Sequence, residues 1–420
     1  MNLRQLSWAW RVVIAGAVVA SLAGCGSAKP IARPPVVASS VEETEPRPSK
    51  PVDELEALLR SDEELASVLN DAARRRVQVL VTIPEEGGVL RRLGHRVDAE
   101  YFYPASSVKL CAAFGVLDKL ADVRKGPSRP RVGLTTKVRF IDGIGRSRHI
   151  HMTTLETELE RSLVLSDNEA HNRLFDFVGD AELASRLANA GLMSPRIAHR
   201  LGRKDPDHTP PPAIEMRAPN SRSPIVIAQR ADYELPPPPK EILIGTSHVD
   251  ESGSVVSGPM DFANKNIISL RDLHYLLIAI TRPDLADRGK PLLTNDDDRR
   301  RLVRIMGMLP SELPPKIRRA VRGPDASYKR MHAAMTSALP RDKVRVHEKG
   351  GRAYGFAVEN AYAVNETTGR SLFVTATIYA NDNETLNDDR YDYETLANPF
   401  MMRLGNVLAQ RFLTQPEGTN

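Results

Sequence analysis

The spacing of apolar positions reads first as helix. From Asp53 to Ala72, Leu55, Leu58, Leu59, Leu65 and Leu69 fall on related faces, so one amphipathic helix is expected over 53–72. A β-branched run from Val77 to Ile83 predicts a strand. A second follows over Val89–Val97, with Glu85-Glu86-Gly87-Gly88 as the turn between them. Tyr101-Phe102-Tyr103-Pro104 leads into a helix expected from Ser106 to Lys125, and helical periods return across 153–165, 169–178 and 181–190. Ser269 with Asp272 marks another helix start, whose buried stripe is Leu270, Leu273, Leu276, Leu277 and Ile280. The chain then runs into a strand meander over Val344–Lys349, Ala353–Val364 and Ser371–Ala380, with Thr367-Thr368-Gly369 at one turn. A last helix carries Leu396, Phe400, Leu404, Val407 and Leu408. Strands at both ends with helices between predict an α+β domain whose antiparallel sheet unites the two ends. No internal repeat is evident.

Two stretches interrupt this pattern. Residues 26–52 hold six prolines and no apolar period, the composition of an extended, partly stiff tether. Ten prolines lie between Pro206 and Pro239. Within that stretch Ala213–Ala218 and Pro224–Ala231 read as an exposed hairpin closed by Pro219-Asn220-Ser221-Arg222. The segment 203–245 is therefore expected to be an insertion or lid on one domain spanning 53–420. Ahead of the tether, Arg4 and Arg11 accompany the apolar run Val12–Leu22. That run is shorter than the roughly 20 residues a membrane span needs, and it matches a secretory leader. It ends in Leu22-Ala23-Gly24-Cys25, which resembles a bacterial lipoprotein cleavage box. Residues 1–25 are read as a leader, with Cys25 as the lipidated residue. The expected partner there is a membrane, held through lipid on Cys25, and the expected location is the cell envelope, on the periplasmic or outer face. A plain signal peptide with an incidental cysteine is the competing reading.

Composition narrows the classes. Lys and Arg total 58 against 53 Asp and Glu, a net charge of +5, from which a cleaved leader would remove Arg4 and Arg11. No Lys/Arg stripe carries interleaved aromatics, which argues against nucleic acid. Cys111, in an apolar helical stretch, reads as core filler, and with Cys25 acylated no intrachain disulfide is possible. A monomer without metal or cofactor is expected. His149-Ile150-His151 has no third ligand at useful spacing, and the Asp/Asn-rich loop 381–390 lacks the EF-hand pattern.

Three short motifs carry chemistry. Ser106-Ser107-Val108-Lys109 opens a helix after Pro104, and the i, i+3 spacing lets the lysine amine reach the serine hydroxyl. A serine is a weak nucleophile until a base takes its proton, and a buried lysine can be that base. The helix start also offers unpaired N–H groups to a developing oxyanion. Ser166-Asp167-Asn168 lies between two predicted helices. Its hydroxyl suits a proton relay and its amide a substrate carbonyl, although all three residues also favour helix N-caps. Lys349-Gly350-Gly351 ends a late strand, where glycines admit a substrate backbone and the lysine suits a carboxylate. Each motif alone is weak.

In this order and these settings the three motifs resemble class A β-lactamases and the related penicillin-binding proteins. Tyr103-Pro104-Ala105-Ser106-Ser107-Val108-Lys109-Leu110 also looks like the start of that family's active-serine helix. The resemblance covers about 75–420 without the proline-rich insertion. It implies an antiparallel sheet lobe beside an all-helical lobe, with the site between them. It further implies Ser106 as acylated nucleophile, Lys109 as a base, Ser166 as proton relay, Asn168 on the substrate amide and Lys349 on its carboxylate. Backbone N–H groups of Ser106 and of Arg352, just past Gly351, would form the oxyanion hole. The implied substrate is a β-lactam amide or a carboxylate-ended peptidoglycan peptide.

Two departures stand out. Gly350 offers no hydroxyl where the family usually has one, leaving Arg352 as a substitute anchor, with a solvated surface arginine as the other reading. No Glu-x-x-Leu-Asn segment follows Ser-Asp-Asn: Pro195–His208 contains Asp205 and Asp207 but no glutamate, and Glu215 reads as the outward face of a strand. Water attack on the acyl-enzyme would then be slow, or would use another group. Glu169 is expected to favour its helix start, and His347 to be exposed. A D,D-peptidase or esterase on the same serine, or a non-catalytic wall-binding lipoprotein of the same fold, are the alternatives.

Overall fold

The structure, a computed structural model, describes residues 51–126, 130–143, 148–203, 210–219, 221, 223–228, 235, 237–286, 293 and 295–414. The leader, Cys25 and nearly all of the tether lie outside these residues, as do Asp205, Asp207 and parts of the 203–245 insertion.

Helices α1 (Pro51–Arg60) and α2 (Glu63–Leu69) replace the single helix expected over 53–72. The break is at Asp62, whose carboxylate caps α2 by accepting from Leu65 N at 3.2 Å. Leu55, Leu59, Leu65 and Leu69 still share one buried face. Strands β1 (Gln78–Pro84) and β2 (Leu90–His95) follow as expected. A 3-10 turn over Ala105–Val108 then runs into α3 (Lys109–Lys125). Helix α3 is buried nearly all round from Lys109 to Ala121, as befits a central helix. Cys111 is buried and unpaired within it.

Next come β3 (Lys137–Asp142), β4 (His149–Thr154), α4 (Leu155–Val164), α5 (Asn168–Val178) and α6 (Asp180–Asn189). The insertion supplies β5 (Ala213–Met216) and β6 (Ile225–Val226). These pair as the expected hairpin, yet the hairpin is no free flap. β5 also pairs with β3, giving a four-stranded sheet β4-β3-β5-β6 within the helical lobe, and Ile214 and Met216 are buried. Val138 and Phe140 on β3 and Ile150 and Met152 on β4 do alternate with polar residues, but each run is only six residues long and the apolar side chains of β4 are exposed.

The chain continues through β7 (Leu243–Ile244), β8 (Ser247–Val249), β9 (Val255–Ser257), β10 (Met260–Asp261) and α7 (Leu270–Thr281). Ser269 caps α7 as expected, accepting from Asp272 N at 3.1 Å. Three more helices follow: α8 (Asp296–Met306), α9 (Pro315–Arg318) and α10 (Arg330–Thr336). The meander is β11 (Val344–Glu348), β12 (Gly351–Ala353), β13 (Phe356–Asn365) and β14 (Ser371–Tyr379). The short β15 (Thr385–Leu386) and α11 (Asn398–Ala409) complete the set.

The main sheet runs β11-β13-β14-β1-β2, all antiparallel, with β12 continuing alongside β13. Strands from both ends thus meet at β1 and β14, where Val81 faces Val374. Helices α1, α2, α10 and α11 cover one face with leucines, methionines and Phe400. Helix α7 covers the other and joins it to the helical lobe. Both central strands are buried on both sides, and a buried histidine bridges a threonine on each of them. Thr82 Oγ1 meets His274 Nε2 at 2.8 Å, and His274 Nδ1 meets Thr375 Oγ1 at 2.7 Å. Burial drives the His274 pKa down to about 3, so the ring is neutral between its two threonines.

Candidate active site

The 3-10 turn places Ser106 at the foot of a cleft between the two lobes. Its approach is strained: Ala105 sits in the left-handed region at φ +47°, an arrangement that costs a non-glycine residue about 1–2 kcal/mol. Ser107 Oγ ties the turn down by donating to Pro104 O at 2.7 Å. Strand β12 lies directly against the serine. A Cβ on Gly351 would land on Ser106 N and stand 2.9 Å from its Cα, so only glycine lets the strand approach this closely.

Ser166 also sits at positive φ, +57°, in the link between α4 and α5. Asp167 pins that link. It caps α5 through Ala170 N at 3.0 Å and accepts from Arg161 Nε at 3.0 Å. The N-cap reading of this motif therefore holds for Asp167, while Ser166 and Asn168 turn toward the lysines.

Lys109 is wholly buried. Its amine donates to Ser166 O, to Ser166 Oγ at 3.2 Å and to Asn168 Oδ1 at 2.8 Å. These acceptors use all three ammonium hydrogens, so the amine is turned to Ser166 and Asn168, and Ser106 Oγ makes no hydrogen bond among the described residues. Lys349, 4 % exposed, donates to the same Ser166 Oγ at 3.1 Å. Two lysines thus converge on one hydroxyl. Burial lowers the Lys109 pKa to about 7, against the pull of Asp167. Burial, then the charges of Lys109, Lys329 and Arg330, push Lys349 well below the usual lysine range. A base that titrates near neutral pH is suited to proton transfer.

A cleft of about 460 Å³ opens above Ser106 and is lined by Asn168, Leu201, Tyr103, Tyr354 and Arg352 among others. Arg352 is on its wall, but its guanidinium is held by Glu394 Oε1 at 3.0 Å and Asn398 Oδ1 at 3.2 Å and stacks over Tyr393. Its backbone is better placed. Lys349 N donates to Asn360 O, and the register continues through Gly351 opposite Val358. By antiparallel alternation the Arg352 N–H then points off the free edge of β12.

The opposite wall is the loop 199–203. Asn172 clamps it, donating to Leu201 O at 3.0 Å and accepting from Leu201 N at 2.8 Å. Among the described residues this loop brings no carboxylate to the cleft. Glu169 pairs with Arg203 at 2.7 Å and lines a separate cavity of about 190 Å³, together with His149 and His151. Among the described residues no three metal-ligating side chains come together there or elsewhere. Glu215 lies on β5 and pairs with Arg139. The described part of the insertion beyond residue 203 does not line this cleft.

Three features were missed in the sequence. The loop after β14 walls the cleft with Asn387, Asp389, Tyr391 and Tyr393. His171, one turn past Asn168 on α5, is fully buried, and neither ring nitrogen has a hydrogen-bond partner. Burial, reinforced by Lys109 and Lys349, keeps that ring neutral. His347 is buried rather than exposed, donating Nδ1–H to Val303 O at 2.8 Å, and burial lowers its pKa to about 4. Only the alternating tyrosines at 391 and 393 hinted at any of this.

The sequence model of the beta-lactamase enzyme family matches residues 60–412. The chain belongs to the beta-lactamase enzyme family. Its α+β architecture, with Ser106 between a sheet lobe and a helical lobe, is the fold expected for that family. Solved structures similar to this beta-lactamase-family chain include a beta lactamase from Burkholderia vietnamiensis, 15% identical, covering 83% of this chain and 96% of its own, with a TM-score of 0.47. A class A representative from Bacteroides cellulosilyticus is 13% identical over 86% of this chain and 98% of its own, TM-score 0.48. A mutant of PBP-A in its acyl-enzyme complex with penicillin G is 14% identical over 85% and 96%, TM-score 0.46. No curated protein matches the chain.

Proposed function

We propose that this protein is a class A-like serine acyl-enzyme former, acylated when Ser106 attacks β-lactam amides or peptides that end in a carboxylate. The observation that carries the reading is the convergence of Lys109 and Lys349 on Ser166 Oγ, beside a serine packed against Gly351. Ser106 Oγ bonds to the carbonyl carbon as its proton leaves to neutral Lys109. The developing oxyanion takes the N–H groups of Ser106 and Arg352. Ser166 then gives its proton to the leaving nitrogen and is resupplied by the lysine ammonium, so one proton travels from Ser106 to the leaving group. Asn168 holds the substrate amide and Lys349 its carboxylate.

Among the described residues, the loop facing Ser106 supplies no base for the second half-reaction. With Leu201 and Gly202 on the wall facing Asn168, and Glu169 drawn to Arg203, nothing on that loop is placed to activate water. The acyl-enzyme is expected to persist, which favours a penicillin-binding or peptidase role over efficient antibiotic hydrolysis. The test is to incubate the full chain with a fluorescent penicillin and a chromogenic cephalosporin, beside Ser106→Ala. A persistent label that needs Ser106 supports the reading; rapid Ser106-dependent turnover shifts it to a β-lactamase; neither label nor turnover removes penicillin acylation.

The order Leu22-Ala23-Gly24-Cys25 after an apolar run supports a second part of the proposal: attachment to a membrane of the cell envelope through lipid on Cys25. Radiolabelled fatty acid should enter the wild-type chain and not Cys25→Ala.

A further inference from the structure

Along β12 the cleft has two ends of different character. Lys349 stands just before the strand, and the Tyr354-Gly355 turn follows it. The loop after β14 is docked at that second end. Gly355 N donates to Tyr393 OH at 2.9 Å, and Ala380 N donates to Gly355 O at 2.7 Å. Ser106 packs against Gly351, between the two ends. A substrate with its carboxylate at Lys349 and its reacting carbonyl at Ser106 therefore sends its acyl part toward Tyr354 and the wall built by residues 387–393.

One carboxylate waits there. Asp389 is the only acidic group lining the cleft among the described residues. It is exposed, and its carboxylate makes no hydrogen bond or ion pair among them. The basic residues of the lining are engaged instead. Arg352 is held by Glu394 and Arg203 by Glu169, while Arg200 Nε donates to Asp176 Oδ1 at 2.9 Å. Lys265 is 7 % exposed and lies over the Tyr354 ring, 5.7 Å from its centroid. The charged group left open to a ligand on this wall is thus an anion.

The loop presents that anion in a fixed pose. Asn387 and Asp389 both lie in the left-handed region, at φ +63° and +57°, which Asn and Asp tolerate better than other side chains. Asn387 N donates to Tyr391 OH at 2.8 Å, and Asn387 Nδ2 donates to Val249 O at 3.1 Å. Asp388 is turned into the loop, accepting from Asn383 Nδ2 at 2.8 Å and Arg390 N at 2.9 Å. Asp388 shapes the loop, and Asp389 is left for the cleft. The rings of Tyr391 and Tyr393, 5.4 Å apart, share the wall, and Tyr393 already carries the Arg352 guanidinium 5.1 Å from its centroid. The faces of such rings attract cations.

We propose that Asp389, with the Tyr391 ring beside it, is a specificity site for the acyl side of the substrate and takes a side chain that ends in an ammonium or guanidinium. The substrate class then narrows to peptides or amides with an anion on the leaving part and a cation on the acyl part. The inference rests on the acylation of Ser106 proposed above.

Two penicillins of equal length test it, one with an acyl chain that ends in a guanidinium and one that ends in the isosteric urea. Second-order labelling constants of the full chain are read by intact mass at low and high salt. The wild type should favour the guanidinium about two- to fivefold at low salt, the worth of one ion pair at an exposed site. Added salt should erode that preference. Asp389→Asn keeps the tolerance for the left-handed backbone and should bring the ratio to about one. A ratio that Asp389→Asn leaves unchanged, including equal slowing of both probes through a merely structural role, overturns the inference. If the variant fails to fold, the wild-type salt series decides, and a preference that salt does not reduce overturns it. A wild type that takes neither probe overturns the acylation reading and this inference together, whereas a labelled wild type without preference overturns the inference alone.

Discussion

Gly351 and Ser106 touch backbone to backbone, since a Cβ at 351 would stand 2.9 Å from Ser106 Cα and closer to its nitrogen. The strand that would bind substrate and the turn that carries the nucleophile are therefore positioned by one contact. Gly351→Ala must push them apart, at a cost of about 1–3 kcal/mol for overpacking. A shift of about 1 Å at the reacting atoms costs on the order of 100-fold in rate. Penicillin labelling of Gly351→Ala should fall by that order while circular dichroism stays native; labelling at the wild-type rate would contradict the contact.

Lys109 supplies the pH dependence of acylation. Burial brings its pKa to about 7, and only the neutral amine accepts a proton. The labelling rate should therefore rise with pH through about 7 and level off above it. Lys109→Met should remove that limb and slow labelling by roughly 10²–10⁴-fold. Stopped-flow labelling between pH 5.5 and 9 reads both, and a rate that falls as pH rises through 7 would assign the proton transfer elsewhere.

The parts of this site that were legible in the sequence are those held by local rules. Ser106 and Lys109 follow from a helix start, Ser166 to Asn168 from a link between two helical periods, and Lys349 from a strand end. The meander and its union with β1 followed from β-branched runs alone. What escaped depends on cross-strand and cross-lobe contacts. Nothing near Glu359 in the sequence says that its carboxylate lies where Gly350 lacks a side chain, because that depends on the register of β13. The wall made by Tyr391 and Tyr393 depends on where the chain turns after β14, and is fixed by Tyr393 OH accepting from Gly355 N at 2.9 Å. The break at Asp62 was visible as a capping residue, yet the leucine spacing runs through it without interruption.

Asn172 holds the loop opposite Ser106 through both backbone groups of Leu201. Asn172→Ala leaves two buried groups unpaired, which should cost about 2–4 kcal/mol. The melting temperature should drop, and limited proteolysis should cut first near 199–203. An unchanged melting temperature would show that the loop is held by other contacts.

His274 predicts acid sensitivity. Its folded pKa, about 3, lies below the 6.5 of the unfolded chain, so the unfolded state binds its proton first. The stability it contributes is fully present above pH 6.5 and is lost as pH falls toward 3. Buried His171 and His347 act in the same direction. Urea midpoints should decline from pH 7.5 to 4.5, and His274→Gln should flatten the slope by up to about 1.4 kcal/mol per pH unit. Parallel slopes for the two proteins would mean that His274 is not protonated on unfolding.

The central claim is that Ser106 is acylated and then released slowly, because among the described residues the loop facing it brings no carboxylate to the cleft. Intact-mass spectrometry of the full chain, followed in time after excess penicillin is removed, tests it most directly. The account predicts an adduct of one whole penicillin that maps to Ser106, is absent from Ser106→Ala, and persists long after the free drug is gone. An adduct that disappears at once with hydrolysed penicillin accumulating, or the same adduct on Ser106→Ala, would contradict it.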